Sequence, residues 1–383
     1  MGWRYPASAR DYRRLAQARL PRFLFDYIDG GASQEQTLRA NADAWMRVGL
    51  RQRVLVDVDG VETTTYLAGQ ACAMPLVLAP LGLAGMMARR GEVQAARAAE
   101  AAGVPFTVST VGICPLDEIG PAVAQAPWFQ LYMLRDRGIV QALLQQAWEA
   151  GCRVLVFTVD LPVAGMRHRD TRNGMLDNSL RGKLGKAWQL GTRPGWIYDV
   201  GIRGKPHSFG NLADLIPDPT DLKAYRTWID AQFDASVTWK DIEWLRGIWK
   251  GKLILKGIQE ADDAIVTAEI GADGLVVSNH GARQLDSVNS SISKLPGVVA
   301  AVGERMEVYV DGGVRSGLDV FKAIALGATG VMIGRPWAWA LAAGGEAAIA
   351  ALLTTFKKEL EVAMALSGVT TIGQICPVLI DSI

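Results

Sequence analysis

Histidine is scarce in this chain: among 383 residues only His168, His207 and His280 are available as a histidine base. His280 belongs to Ser278-Asn279-His280-Gly281-Ala282-Arg283-Gln284-Leu285-Asp286, directly after the apolar run 274–277, which has the composition of a buried strand. A proton acceptor three residues from a fixed cation, on the loop leaving such a strand, suits removal of a proton from an anionic substrate. Lys256 ends another apolar run. Taken alone, it is either a Schiff-base lysine or a cation facing developing negative charge.

These side chains need a scaffold that brings strand ends together. Short apolar runs predict strands over 76–79, 105–109, 128–131, 154–159, 253–256, 275–278, 308–311 and 330–333. Their centres are mostly about 22–33 residues apart, the length of one strand–helix unit. Amphipathic stretches over 93–102, 139–150, 261–270 and 318–326 fill the gaps. Three of them run into Gly103, Gly151 and Gly327, where glycine favours a helix end. Eight such units predict an α/β fold, a TIM (β/α)₈ barrel. A doubly wound sheet is the alternative, but no GxGxxG follows the first strand. The expected organisation is a single domain over 1–383 with an N-terminal helical extension, 1–70, and a long insertion after strand 4, 172–237.

That insertion interrupts the rhythm and is too long for one helix; insertions of this size in compact domains are usually functional or disordered. Its stretch 180–189 sets Arg181, Lys183 and Lys186 beside Leu180, Leu184 and Trp188. Such a segment suits peripheral contact with an anionic membrane surface, or else a lid or a subunit contact. Lys and Arg (40) nearly cancel Asp and Glu (39), which speaks against nucleic acid as a partner. Four dispersed cysteines without a CxxC pair indicate reduced thiols in a cytoplasmic protein, with no metal site expected. Neither an N-terminal signal core nor a transmembrane run is expected.

In a TIM barrel the chemistry lies where strands end. Those positions hold Pro80, Leu81 and Gly82 after the first strand, Ser109 and Thr110 at the second, and Gln130 and Tyr132 at the third. The fourth gives Thr158 and Asp160, with Arg167 shortly after; Lys256 ends the fifth, and Ser278 and His280 follow the sixth. The seventh leads into Asp311-Gly312-Gly313-Val314-Arg315 and the eighth into Gly334-Arg335. Glycine-rich backbone with arginines after the last two strands fits a phosphate. His280 with Asp160 fits a base and its orienting carboxylate, and Arg167 with Arg283 a carboxylate clamp.

With these motifs in place, the chain resembles the FMN-dependent α-hydroxy acid oxidase/dehydrogenase family over essentially its whole length. Phe129-Gln130-Leu131-Tyr132, Thr158-Val159-Asp160, Lys256-Gly257 and Ile333-Gly334-Arg335 support the 278–286 signature. Stretches such as 88–96 and 239–244 are similar to the bacterial respiratory L-lactate branch. The resemblance implies FMN as cofactor and oxidation of an (S)-2-hydroxy acid, with L-lactate to pyruvate expected. It implies His280 as base assisted by Asp160, Arg167 and Arg283 on the carboxylate, Tyr132 near the hydroxyl, and Lys256 at the N1/C2 carbonyl edge of the flavin. Ser109, Gln130, Thr158 and Ser278 would bond the ring and ribityl chain. Asp311, Gly313, Arg315, Gly334 and Arg335 would hold the ribityl chain and phosphate, with Pro80, Leu81, Gly82 and Gly312 beside the cofactor. Many members carry tyrosine where this chain has Phe25, so one hydrogen bond to the carboxylate is expected either to be absent or to come from Tyr27 instead. Val111 stands where plant glycolate oxidases have tryptophan, and Met166 is expected to shape the pocket with it. His168 is given no catalytic part.

The basic insertion points to a quinone or cytochrome as electron acceptor and to attachment to the inner face of the cell membrane through 172–237, and the resemblance implies a homo-oligomer (a tetramer). Alternatives within the chemistry are an oxygen-using oxidase and a mandelate or longer-chain dehydrogenase. A lysine aldolase is the alternative of a different class.

Overall fold

The computed structural model describes residues 6–175, 177, 179–215, 227–228 and 231–382. Eight parallel strands form the central sheet: β1 (Leu76–Leu78), β2 (Thr107–Ser109), β3 (Trp128–Leu131), β4 (Val154–Thr158), β5 (Lys252–Ile258), β6 (Gly274–Val277), β7 (Glu307–Val310) and β8 (Gly330–Ile333). Their order around the sheet is 1-8-7-6-5-4-3-2. A parallel bridge between Leu78 and Phe106 joins β1 to the segment entering β2, so the sheet closes into a barrel. Each predicted strand is present. They were readable because parallel strands are covered on both faces and so are written as unbroken apolar runs.

The barrel interior is filled by Val77, Trp128, Val154, Val156, Ile254, Val276, Tyr309 and Met332. Trp128 and Tyr309 meet edge to face at 6.0 Å. Leu67 and Cys72, from a hairpin of Thr65–Leu67 and Gln70–Cys72, join that cluster. Chemistry is therefore confined to the other end, where the strands finish. Helices such as Gly91–Ala101, Arg137–Glu149 and Gly317–Ala325 cover the outside. Gly103, Gly151 and Gly327 all take positive φ after their helices, as expected.

Three further helices lead into the mouth: α1 (Ala9–Arg19), α2 (Arg22–Asp29), which carries Tyr27, and α3 (Gln36–Arg47), which carries Asn41 and Trp45. The terminal helix α4 (Arg335–Leu366) is kinked at Gly344–Gly345 and packs on α1 and on Gly91–Ala101. By length and apolar composition α4 could cross a membrane, which the sequence reading did not expect. Half of its most apolar window is nevertheless buried within the protein, and Arg335 at its start lines the active-site cavity. These are the marks of a core helix.

Within the insertion, the described residues form the helix Leu180–Gly191, a turn at Pro194–Trp196, a π-helical segment Ile197–Ile202 and a 3₁₀ segment Gly210–Leu215. The four cysteines are free thiols.

Candidate active site

One cavity at the barrel mouth is lined by residues from all three leading sources: α2, the strand ends and the insertion. His280 takes a left-handed backbone conformation (φ 56°), held by its own N–H donating to Ser278 Oγ at 3.0 Å. Its Nδ1 lies 2.7 Å from Asp160 Oδ1. That contact fixes the ring, and Nε2 is the nitrogen left for a substrate. Burial opposes charge on Asp160, but His280, by charge and hydrogen bond, and Lys256 more than offset it, so the carboxyl titrates below the usual aspartate range. A β-bulge between Lys256 and Ile258 makes room for this pair. Gly257 sits there at φ +115°, and a Cβ on it would come within 2.6 Å of the Asp160 Cβ.

Lys256 is buried and donates to Ser278 Oγ at 2.8 Å, with Asp311 Oδ2 at 2.6 Å. Desolvation works against its charge, yet Asp311 and Asp160 raise its pKa above the usual lysine value. A lysine held protonated is a poor amine nucleophile, which removes the physical basis for the aldolase alternative. It is well suited to facing developing negative charge.

Arg283 donates to the carbonyls of Tyr27 and Gly30, and its guanidinium lies 4.9 Å from the centroid of the Tyr27 ring. Arg167 lies 5.8 Å from the same centroid, with Asp170 Oδ2 3.8 Å away. Desolvation, then the neighbouring Arg167, pulls Arg283 down to about 9. Two guanidiniums crowded on one tyrosine form a site short of an anion. Tyr132 joins them, its phenol raised by burial and then by Asp160 and Tyr27.

At the other end, Arg335 donates to Gly30 O at 2.8 Å while its Nε, buried, has no partner among the described residues. Arg315 lies 5.0 Å from the centroid of the Trp339 ring. Desolvation lowers both guanidiniums to about 10, and Arg335 is lowered further by Arg315. Between β7 and Arg315, α3 presses on the glycines: Trp45 Nε1 donates to Gly312 O at 2.9 Å. A Cβ on Gly313, at φ +92°, would stand 2.0 Å from Asn41 O. Glycine is thus obligatory at 313, and its backbone is left close to the cavity.

Among the lining residues, five fixed cations (Arg167, Lys256, Arg283, Arg315 and Arg335) face two carboxylates (Asp170 and Asp311). The surplus of three matches a phosphate near −2 plus one substrate carboxylate. FMN fits this donor set: Arg315 and Arg335 would take its phosphate, and the buried, unpartnered Asp311 Oδ1 a ribityl hydroxyl. Lys256 and Thr158 would meet the ring edge beside Pro80, Leu81 and Gly82.

Not every expected residue touches the cavity. Ser109 Oγ donates to Gln130 Oε1 at 3.1 Å, and Gln130 Nε2 to Thr158 Oγ1 at 3.1 Å. Ser109, Gln130 and Ser278 are fully buried in such chains behind the wall, with Thr158 and Lys256 in front. Tyr27 lines the cavity, whereas Phe25 is buried in the core beneath Arg13, so of the two it is Tyr27 that can reach a bound substrate. Val111 lines the cavity as expected; Met166 does not, its side chain being 67% exposed on the outer surface. His168 begins the helix His168–Arg172 outside the cavity wall. Sequence reasoning missed Asp170, Met175 and Phe233. Asp170 was findable from its i,i+3 spacing to Arg167; the other two come from the insertion, where no periodicity marks them.

A parallel barrel with glycines and two arginines after its last two strands and a histidine–carboxylate pair in the same mouth is suited to a phosphorylated cofactor and to proton removal from an anionic substrate. The chain belongs to the FMN-dependent dehydrogenase family, whose model matches residues 16–382, and FMN is its cofactor. It is 53% identical to an L-lactate dehydrogenase of Caulobacter sp. (strain K31), covering 96% of this chain and 97% of that one. Identity is 50% to an L-lactate dehydrogenase of Alcaligenes faecalis, with 96% and 97% coverage. Among solved structures, the monotopic membrane protein (S)-mandelate dehydrogenase superposes with a TM-score of 0.93 at 33% identity, over 99% of this chain and 100% of that chain. A mandelate oxidase gives 0.82 at 37% identity, with 96% of each chain covered.

Proposed function

We propose that this protein oxidises an (S)-2-hydroxy acid, L-lactate, to the 2-keto acid, pyruvate, and passes the electrons to a membrane quinone or cytochrome. The observation that carries this reading is the convergence of the His280–Asp160 pair and the Arg167–Arg283 pair in one cavity. Arg167 and Arg283 bind the carboxylate through charge-assisted hydrogen bonds. Tyr132 orients the hydroxyl. His280 Nε2 takes one proton from the substrate, and Asp160 stabilises the imidazolium that results. FMN, when bound, would accept the two electrons and the substrate's second hydrogen. Lys256, held charged by Asp311, steadies negative charge at the ring edge.

Lactate rather than mandelate is favoured by the 50–53% identity to L-lactate dehydrogenases, against 33–37% to the mandelate enzymes. Anaerobic addition of L-lactate to the purified protein is expected to bleach its visible band and release pyruvate. An oxidised spectrum after that addition, with bleaching by (S)-mandelate or a longer acid instead, rejects lactate. Rapid peroxide formation without added quinone or dye rejects the dehydrogenase reading in favour of an oxidase.

Membrane contact is proposed through the helix Leu180–Gly191. Leu180, Leu184 and Trp188, four residues apart and so on one face, are 76%, 64% and 76% exposed. Arg181, Lys183 and Lys186 accompany them. An exposed apolar stripe with basic neighbours suits an interfacial helix on anionic lipid. Failure of the full-length protein to sediment with anionic vesicles rejects this.

A further inference from the structure

The insertion does not end where its exposed helix does. Its return segment is bound back onto the mouth: Phe233 bridges Leu134 in antiparallel fashion, Arg135 N donates to Gln232 O at 2.8 Å, and Asp234 N to Met133 O at 3.3 Å. Arg137 locks this short ribbon, its Nη2 lying 2.8 Å from Asp234 Oδ2 and 2.7 Å from Asp241 Oδ1. Asp234 is buried, so removing its cation would leave a buried charge unpaired. The ribbon has one consequence inside the cavity. It sets the Phe233 ring on Tyr132, with centroids 5.0 Å apart and planes tilted by 35°.

On the reading of this site as a 2-hydroxy acid site, carboxylate and hydroxyl are accounted for by the arginines, His280 and Tyr132. The substrate's remaining substituent must then lie against apolar wall, and Val111, Leu161 and Phe233 are among the residues that supply it. Phe233 is the bulkiest of these three and the one stacked on the hydroxyl-facing tyrosine. A second cavity of about 460 Å³ shares Tyr132, Thr158 and Leu161 with the first and runs beside the same ribbon, touching Asp234 and Val237. A smaller side chain at 233 would open the substrate pocket toward that space.

We propose that Phe233 is a specificity-determining wall of the substrate pocket, pinned by Arg137, and that its ring restricts the enzyme to small 2-hydroxy acids. Hydrophobic pockets discriminate by roughly 10–200-fold when about a methylene of space is gained or lost. In Phe233→Ala holoenzyme the ratio of kcat/KM for (S)-mandelate or (S)-2-hydroxyoctanoate to that for L-lactate is expected to rise about tenfold or more. Phe233→Leu, a milder change that keeps the core side of the ribbon filled, is expected to move the same ratio in the same direction by less. Arg137→Gln keeps the ring but frees the ribbon, and is expected to relax selectivity while FMN content stays that of the wild type. A ratio unchanged in both Phe233 variants, with FMN retained, overturns the proposal; an unchanged ratio in Arg137→Gln overturns the pinning. If the wild-type holoenzyme is reduced by no 2-hydroxy acid, the functional reading falls. If it is reduced and the ratios stay fixed, only the role of Phe233 falls.

Discussion

Around the active-site cavity, cations outnumber carboxylates and two of the arginines press on a single tyrosine; on the helix Leu180–Gly191, leucines and a tryptophan stand in solvent. Enclosed charge and exposed hydrocarbon are opposite departures from ordinary burial, and each costs stability where it stands. On the proposed function each would be repaired by a different partner: anions in the first region, an apolar phase in the second. The two regions also differ in support. The cations rest on strand ends and a bulge locked by Gly257, whereas the exposed stripe rests on a surface helix with no fully buried residue.

The contrast can be broken in several ways, the largest first. His280→Gln should keep its yellow colour and lose anaerobic reduction by L-lactate by roughly 10²–10⁴-fold, the usual loss for a general base. Normal reduction rates in stopped flow would remove His280 from its role. Arg335→Leu removes one phosphate-facing cation; because charge-assisted hydrogen bonds are worth about 1.5–3 kcal/mol, the FMN dissociation constant should rise roughly 10–100-fold by fluorescence titration. In the second region, Leu184→Ser with Trp188→Ser should weaken binding to anionic vesicles by about tenfold or more while dye-linked turnover is preserved, since each side chain withdrawn from the interface forfeits part of the roughly 1.5–3 kcal/mol that full burial would give. Loss of turnover together with vesicle binding would show that the regions are not separate.

The smallest effect is a pH dependence. Asp160 titrates below its unfolded value near 3.8, so the stability it contributes is present above that value and is lost as pH falls through the lower folded one. The difference in melting temperature between wild type and Asp160→Asn should therefore shrink as pH falls below about 4. A difference that stays fixed down to about pH 2 would remove Asp160 as the group responsible.

Much of this was legible in the chain. Barrel strands announce themselves because both their faces are buried, and residues just past a strand end have nowhere to point but the mouth. Hence His280, Lys256, Asp311 and Arg335 were found from their positions alone. What stayed hidden depends on contacts across long stretches of sequence. The choice between Phe25 and Tyr27 turns on which face of α2 meets the barrel. Asn41 and Trp45, which force glycine at 313, lie some 270 residues away from it. Phe233 reaches Tyr132 only because a ribbon about 100 residues downstream pairs with the loop after β3. Ser109 and Gln130 were readable as strand-end polar residues, but not that they would be linked to each other and to Thr158 in one buried hydrogen-bonded chain.

The most direct test is a crystal structure with FMN and pyruvate bound. The phosphate is expected between Arg315 and Arg335, the ring against Lys256 and Gly82, and the keto acid's carboxylate on Arg167 and Arg283 within reach of His280 Nε2. A phosphate held elsewhere, or a keto acid turned away from His280, would contradict the assignment of this mouth as the catalytic site.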